Sequence, residues 1–231
     1  MTTVQSDLRD HLALVLDVDD LVEATRMARE LAPWFGVAKV GLELFSAAGP
    51  DAVAALIECG YRVMLDVKLH DIPTTVGKAA RVLGALGASY LTMHAFGGVP
   101  MLRAGVEGLA EGAARAGLEP PVALAVTILT SDAGAPSHIV GNRVRNALEA
   151  HCGGVVCAAA DLHEIRQLGP ALVTVVPGLR MPGTATHDQA RVTTPRDAFA
   201  AGANLLVIGR TVTASRDRAA AAAALIDSLA G

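Results

Sequence analysis

The sequence predicts a (β/α)8 barrel, an α/β fold in which eight parallel strands alternate with helices and close on themselves. Short apolar runs recur through the 231 residues and are separated by segments with the apolar spacing of helices. Most of these runs are continuously apolar, which is typical of strands buried on both faces. A chain of this length commonly forms one barrel of eight βα units. We therefore expect residues 1–231 to form a single domain.

The predicted elements follow one another in strict alternation. The strands cover residues 12–18, 37–41, 62–67, 90–93, 122–127, 154–157, 172–176 and 204–208. The helices that follow them cover residues 20–32, 51–59, 74–86, 101–116, 138–150, 161–168, 195–201 and 216–229. Thr194 lies directly before Pro195 and three residues before Asp197, which is the pattern of a capped helix start.

An open, doubly wound sheet is the alternative arrangement of the same elements. That fold would place a glycine-rich phosphate loop directly after the first strand. The sequence has Asp17-Val18-Asp19-Asp20 at this point, so we favour the closed barrel.

The charge balance argues against a nucleic acid or a membrane as partner. The formal net charge is −4, and no basic block occurs anywhere in the chain. No apolar run reaches the length of about 18 residues that a membrane span needs. The N-terminal segment lacks the apolar core of a secretory signal, so we expect a cytoplasmic protein. The three cysteines show neither the number nor the spacing of a disulfide framework or a zinc site.

Charged residues are predicted at the carboxyl ends of the first three strands, where barrel enzymes have their active sites. Asp17 ends the first strand, Lys39 lies in the second, and Asp66 and Lys68 end the third. Positions i and i+2 of an extended segment point the same way, so Asp66 and Lys68 should project together. Buried charges are stable when they are paired, and this order predicts an alternating array. A structural ion pair that closes the strand end is the alternative interpretation of Asp66 and Lys68.

A phosphate site is predicted on the other side of the barrel mouth. Gly209 and Arg210 follow the eighth strand, and barrel enzymes often bind phosphate at the loops after strands seven and eight. An arginine adds paired contacts to phosphate oxygens. The long loop 177–193 is rich in Gly, Pro and Thr, which is typical of a lid or a binding loop. The residues alone thus predict a barrel enzyme for a small phosphorylated substrate, with no spacing that indicates a metal site.

The motifs around these residues resemble those of the orotidine 5′-phosphate decarboxylase family. LDVKLHDIPTT at residues 65–75 closely resembles the family signature DxKxHDIPxT, and PGLRMPGTATHDQAR at 177–191 resembles its phosphate loop. Further similar motifs follow the same order along the chain, namely LVLDVDD at 14–20, KVGLELF at 39–45, MHAFGG at 93–98, ILTS at 128–131 and VIGRTVT at 207–213. The departures, such as Thr74 where the family often has Asn, remove no charged group.

The resemblance implies an enzyme that converts orotidine 5′-phosphate (OMP) to UMP and CO2 in pyrimidine biosynthesis, without a metal or another cofactor. It implies that Lys68 donates a proton to C6 of the pyrimidine and that Asp66 lies beside the departing carboxylate. Lys39 would hold the charged array together and contact the ribose, and Asp17 would bind a ribose hydroxyl. The other implied substrate contacts, from the base edge to the phosphate, are Thr130, Gln189, Pro177, Arg180, Gly209 and Arg210. The family is further expected to form a homodimer in which Asp71, Ile72 and Thr75 complete the site of the partner subunit.

Two other functions remain as alternatives. A Mg²⁺-dependent sugar-phosphate decarboxylase or aldolase of the same superfamily would share a DxKxxD motif, but HDIPxT, the ILTS loop and Gln189 favour the pyrimidine enzyme. A non-catalytic phosphate-binding or nucleotide-binding barrel would keep Arg210, yet it would not need Lys68 between two aspartates.

Overall fold

Eight parallel strands close into a barrel in the chain order β1 to β8, as the sequence predicts. The computed structural model describes residues 8–129, 132, 136, 138–180 and 193–230. The strands are β1 (Leu12–Leu16), β2 (Val37–Val40), β3 (Arg62–Leu69), β4 (Tyr90–His94), β5 (Val122–Val126), β6 (Gly154–Val156), β7 (Val173–Val176) and β8 (Leu205–Ile208). Pairing of β1 with β8 completes the barrel, which excludes the open sheet.

Helices surround the barrel and connect consecutive strands. In chain order they are α1 (Leu21–Leu31), α2 (Leu42–Ala48), α3 (Pro50–Glu58), α4 (Pro73–Gly84), α5 (Gly98–Ala116), α6 (His138–Glu149), α7 (Leu162–Leu168), α8 (Pro195–Ala200), α9 (Arg210–Thr213) and α10 (Arg218–Ala230). The sequence pattern predicts one helix after each strand, so α2 and α9, which share a connection with α3 and α10, were not predicted. Thr194 caps α8 as predicted, accepting a hydrogen bond from the Asp197 N–H.

Two apolar clusters hold the barrel together. The larger one fills the space between the outer faces of the strands and the helices. The smaller one fills the barrel interior with residues such as Val37, Met64, Leu124 and Val175. Apolar side chains therefore fill the barrel interior toward the amino ends of the strands, and the carboxyl ends are left for polar residues.

The two helices that follow β3 and β4 pack against each other with their backbones in close contact. A Cβ atom added at Gly112 of α5 would lie 1.9 Å from the Arg81 carbonyl oxygen of α4, and one at Gly84 would lie 2.5 Å from the Leu109 carbonyl oxygen. Only glycine fits at such an approach. This packing fixes the positions of the two strands that precede the helices. None of the described helices is long and apolar enough to cross a membrane.

Candidate active site

The inward-facing positions of the strands change from apolar to charged toward the carboxyl end of the barrel. On β2, Val37 belongs to the interior cluster and Lys39 is the next inward position. On β3, Met64 belongs to the same cluster and Asp66 follows it. Since side chains alternate along a strand, the sequence places each charge directly above the apolar layer. On β1 the same two-residue spacing leads from Ala13 through Val15 to Asp17, just beyond the strand.

Four charged side chains form a continuous row of alternating sign at the barrel mouth. Lys39 Nζ lies 3.1 Å from Asp17 Oδ1 and 3.5 Å from Asp66 Oδ2. Lys68 Nζ lies 2.8 Å from the other Asp66 oxygen, Oδ1. The side chains of Lys39 and Asp66 are only 10% and 11% exposed, so each charge is stabilised mainly by its neighbours in the row.

The Asp66 carboxyl remains ionised in this setting. Burial raises its pKa, but the positive charges of Lys39 and Lys68 and hydrogen bonds from Lys68 and Thr92 outweigh burial and hold the pKa below its usual value. A fixed negative charge therefore lies between two ammonium groups. Lys68 is the more accessible of the two, with a side chain that is 33% exposed.

Asp66 and Lys68 meet through an irregular strand and not through the regular extended segment that the sequence analysis assumed. The pairing of β3 with β4 shifts register between Leu65 and Leu69. Lys68 has a φ of 48°, a left-handed backbone that is uncommon for any residue other than glycine. The Lys68 N–H donates to the hydroxyl of Thr92 on β4. Thr92 was not among the site residues predicted from the sequence, although it is a polar residue at an inward strand position.

A cavity of about 670 Å³ opens next to the charged row. Its volume lies within the range of about 300–1,000 Å³ that is usual for small-molecule sites. Among the described residues, the charged side chains that line it are Asp17, Glu23, Lys39, Asp66, Lys68, Arg180, Arg210 and Arg218. Five of these eight are basic, so the cavity favours an anionic ligand. Glu23 and Arg218, which pair at 4.0 Å, lie on helices α1 and α10 and had no sequence signal.

The second basic group of the cavity lies opposite the lysines. Pro177, Arg180, Gly209 and Arg210 all line the cavity, and Arg180 is only 6% exposed. Within the described residues, Arg180 Nε and Nη2 have no hydrogen-bond partner. A buried guanidinium with unsatisfied donors is costly unless a ligand supplies acceptors. The Arg180 N–H donates to the Thr193 carbonyl oxygen at 3.2 Å, which connects the two residues that flank positions 181–192.

The remaining predicted site residues fall into two groups, three that are exposed and two that lie outside the described residues. Asp71, Ile72 and Thr75 are exposed and are not among the described residues that line the cavity. Asp71 Oδ1 accepts from the Ile72 N–H at 2.6 Å, and Ile72 itself occupies the N-cap position of α4. Thr130 and Gln189 lie outside the described residues.

Two histidines lie beside the site without forming a metal centre. The rings of His70 and His94 are 5.5 Å apart, and His94 Nδ1 accepts from the Phe96 N–H at 3.2 Å. Burial, together with electrostatic interactions with Arg143, His70 and Lys68, lowers the pKa of His94, which fits a neutral ring that accepts a hydrogen bond. In the described part of the chain, no group of three His, Cys, Asp or Glu side chains could hold a metal ion.

The fold and the cavity together define a (β/α)8 barrel with a row of lysines and aspartates and a group of arginines at its carboxyl mouth. The sequence model of the orotidine 5′-phosphate decarboxylase / HUMPS family matches residues 10–225. The chain therefore belongs to this family.

Curated relatives and solved structures agree with this assignment. The chain is 42% identical to the orotidine 5′-phosphate decarboxylase of Moorella thermoacetica over 234 residues, covering 96% of this chain and 93% of that protein. It is 43% identical to the enzyme of the same name from Anaeromyxobacter sp. strain K over 231 residues, covering 95% and 98% of the two chains. The crystal structure of the Lactobacillus acidophilus orotidine 5′-phosphate decarboxylase superposes with a TM-score of 0.80 at 31% identity, covering 95% of this chain and 99% of that one.

Proposed function

We propose that this chain decarboxylates OMP to UMP and CO2 in pyrimidine biosynthesis, using neither a metal nor another cofactor. The observation that carries the proposal is the row Asp17–Lys39–Asp66–Lys68, which borders a cavity with Arg180 and Arg210 at its other side. Relatives with more than 40% identity over nearly the whole chain bear the name of this activity, which supports the same conclusion.

The proposed orientation of the substrate follows from the charges of the cavity. Arg180 and Arg210, with Gln189 of the adjoining loop, bind the phosphate, because a guanidinium offers paired donors to phosphate oxygens. The ribose then lies near Asp17 and Lys39, whose side chains can exchange hydrogen bonds with hydroxyl groups. The pyrimidine extends toward Lys68, and Thr130 contacts its polar edge. Pro177 and Gly209 line the cavity on the phosphate side.

Lys68 performs the chemical step in this proposal. The bond between C6 and the carboxylate breaks, CO2 leaves, and the electron pair stays on C6. The Lys68 ammonium stabilises this developing negative charge and then transfers a proton to C6, after which the amine regains a proton from solvent. Asp66 stays ionised and faces the substrate carboxylate, and the repulsion between the two negative charges is relieved as CO2 leaves. Binding of the phosphate, at a distance from the reacting carbon, supplies the energy that brings the substrate carboxylate close to Asp66.

The proposed active assembly is a homodimer. Asp71, Ile72 and Thr75 are exposed, and Ile72 is 66% exposed, so these residues are accessible to a partner subunit. In the dimer these three residues reach the cavity of the partner subunit. Asp71 then adds a second carboxylate beside Lys68.

The test is a spectrophotometric assay of purified protein with OMP, in the presence and absence of EDTA, with product analysis. We expect loss of the OMP absorbance band, formation of UMP, and equal rates with and without EDTA. No turnover of OMP, together with Mg²⁺-dependent turnover of 3-keto-L-gulonate 6-phosphate, would assign the chain to the sugar-phosphate branch of its family. Tight OMP binding without any turnover would instead indicate a non-catalytic nucleotide-binding barrel.

A further inference from the structure

Thr92 lies at the point where β3 and β4 change register. Below this point Leu65 pairs with Leu91, and above it Leu69 pairs with Met93. Three residues of β3, 66–68, therefore lie opposite a single residue of β4, Thr92. In a regular ladder each residue of one strand has one partner on the other. Such a bulge interrupts the backbone hydrogen bonds of the pair, and the buried N–H groups need other acceptors.

The Thr92 hydroxyl bonds to both ends of this bulge. It donates to Asp66 Oδ1 at 3.0 Å and accepts from the Lys68 N–H at 2.9 Å. The direction of both bonds is fixed, because an ionised carboxylate only accepts and a backbone N–H only donates. Thr92 is fully buried, with 0% exposure, so water does not compete for either bond.

The two bonds act on the two residues that the proposed reaction uses. Asp66 Oδ1, which accepts from Thr92, is also the atom that contacts Lys68 Nζ at 2.8 Å. The Lys68 backbone, with its φ of 48°, keeps an uncommon conformation that persists only where surrounding contacts hold it. The hydroxyl supplies such a contact at the Lys68 N–H, from the strand next to the one that carries the lysine.

We propose that Thr92 is a positioning residue, which holds the Asp66 carboxylate and the Lys68 backbone in place through one hydroxyl group. Thr92 is not among the described residues that line the cavity, so it acts through Asp66 and Lys68 and not on the substrate. The effect on turnover rests on the proposed function. The effect on the Asp66 carboxyl and the Lys68 backbone does not.

The kinetic test compares Thr92→Val, which removes the hydroxyl at nearly constant volume, with Thr92→Ser, which keeps it. Since a misplacement of about 1 Å can lower a rate about 100-fold, we expect Thr92→Val to lower kcat by about that factor with little change in KM. We expect Thr92→Ser to restore most of the rate. If Thr92→Val does not fold, Thr92→Ala removes the same hydroxyl without adding a methyl group.

Thr174 provides a matched control. It is also a fully buried strand threonine, and its hydroxyl bonds to Asn204 and to the Gly202 carbonyl oxygen on the opposite side of the barrel from Asp66. Thr174→Val should lower the melting temperature and leave kcat unchanged. An equal loss of kcat in both valine variants would show a general structural effect and overturn the inference.

An activity-independent measurement separates this inference from the proposed function. Carbon-13 NMR titration of the aspartate carboxyls should show a higher Asp66 pKa in Thr92→Val than in the unaltered protein, because a donor to the charged form is lost. Thr92→Ser should keep the original value. If the unaltered protein does not turn over OMP, the proposed function fails, and the titration still decides the role of Thr92. An unchanged Asp66 pKa and an unchanged kcat in Thr92→Val would refute it.

Discussion

Lys68 is the residue on which the proposed chemistry depends. Lys68→Ala removes both the proton donor and the charge that stabilises the carbanion, and general acid catalysis alone contributes about 10²–10⁴ in rate. We expect kcat to fall by more than about 1,000-fold. Asp66 keeps its contact with Lys39, so the variant should fold. Lys68→Arg should also lose turnover, because arginine keeps its proton. Near-normal turnover by Lys68→Ala, measured in the OMP assay, would contradict the mechanism.

Asp66 links the stability of the barrel to pH. Its pKa is lowered in the folded protein, so its stabilising contribution is present above the pKa of an unfolded aspartate, about 3.9, and is lost as the pH falls through the lower folded pKa. We expect the difference in melting temperature between the unaltered protein and Asp66→Asn to be largest near neutral pH and to shrink in acid. His94, whose pKa is also lowered, is present in both proteins, so its contribution to the pH dependence cancels in this difference. A difference that grows in acid would contradict the assignment.

Arg180 should stabilise the bound ligand and destabilise the empty protein. Its buried guanidinium keeps two donor atoms without partners in the described residues, so Arg180→Met should raise the melting temperature of the ligand-free protein. The same change should raise KM for OMP at least about tenfold, since hydrogen bonds to charged groups contribute about 1.5–3 kcal/mol. Arg26→Met is the control, because the Arg26 side chain is 72% exposed. A lower melting temperature with an unchanged KM would show that Arg180 is structural.

The residues of the charged row could be predicted from the sequence because charges interrupt otherwise apolar strands. Asp17, Lys39, Asp66 and Lys68 all stand out in this way. Thr92 did not, since a neutral hydroxyl within the run YLTM is compatible with a buried strand.

At the scale of secondary-structure elements, the close packing of α4 and α5 is a constraint that can be tested. Gly112→Ala would bring a Cβ to within 1.9 Å of the Arg81 carbonyl oxygen and force the helices apart. Overpacking typically costs about 1–3 kcal/mol, which exceeds the gain of about 1 kcal/mol from replacing a helical glycine. We expect a lower melting temperature in a thermal denaturation experiment. Gly77→Ala, where the nearest contact is 3.2 Å, is the milder comparison, and equal effects would contradict the argument.

Most element boundaries could be predicted to within about two residues, because buried strands and amphipathic helices carry a clear period. The bulge in β3 could not be predicted, because it depends on which residues of β4 lie opposite. The sequence of one strand does not show how it is aligned with the neighbouring strand. The short helices α2 and α9 were missed because a pattern of one helix per strand leaves no place for a second helix in the same connection.

The proposed dimer belongs to the scale of the whole molecule and can be tested by mixing two inactive variants. Lys68→Ala lacks the proton donor, and Asp71→Ala lacks the carboxylate that each subunit lends to its partner. A mixed dimer contains one site with both changes and one intact site, so random reassociation should restore about a quarter of the unaltered activity. No recovery after mixing would show that Asp71 acts within its own subunit. An affinity tag on one variant lets the mixed dimer be isolated, which shows that subunits have exchanged before activity is measured.

The alternating row of charges also restricts how this sequence can evolve. Lys39 touches a carboxylate on each side, so its loss alone would leave Asp17 and Asp66 facing each other without a cation between them. Loss of Asp66 alone would leave two ammonium groups together. Each single step is therefore unfavourable even where a combined change is tolerable, and the effects of double substitutions will not be additive. Divergence toward another chemistry would have to pass through several of these positions nearly at once.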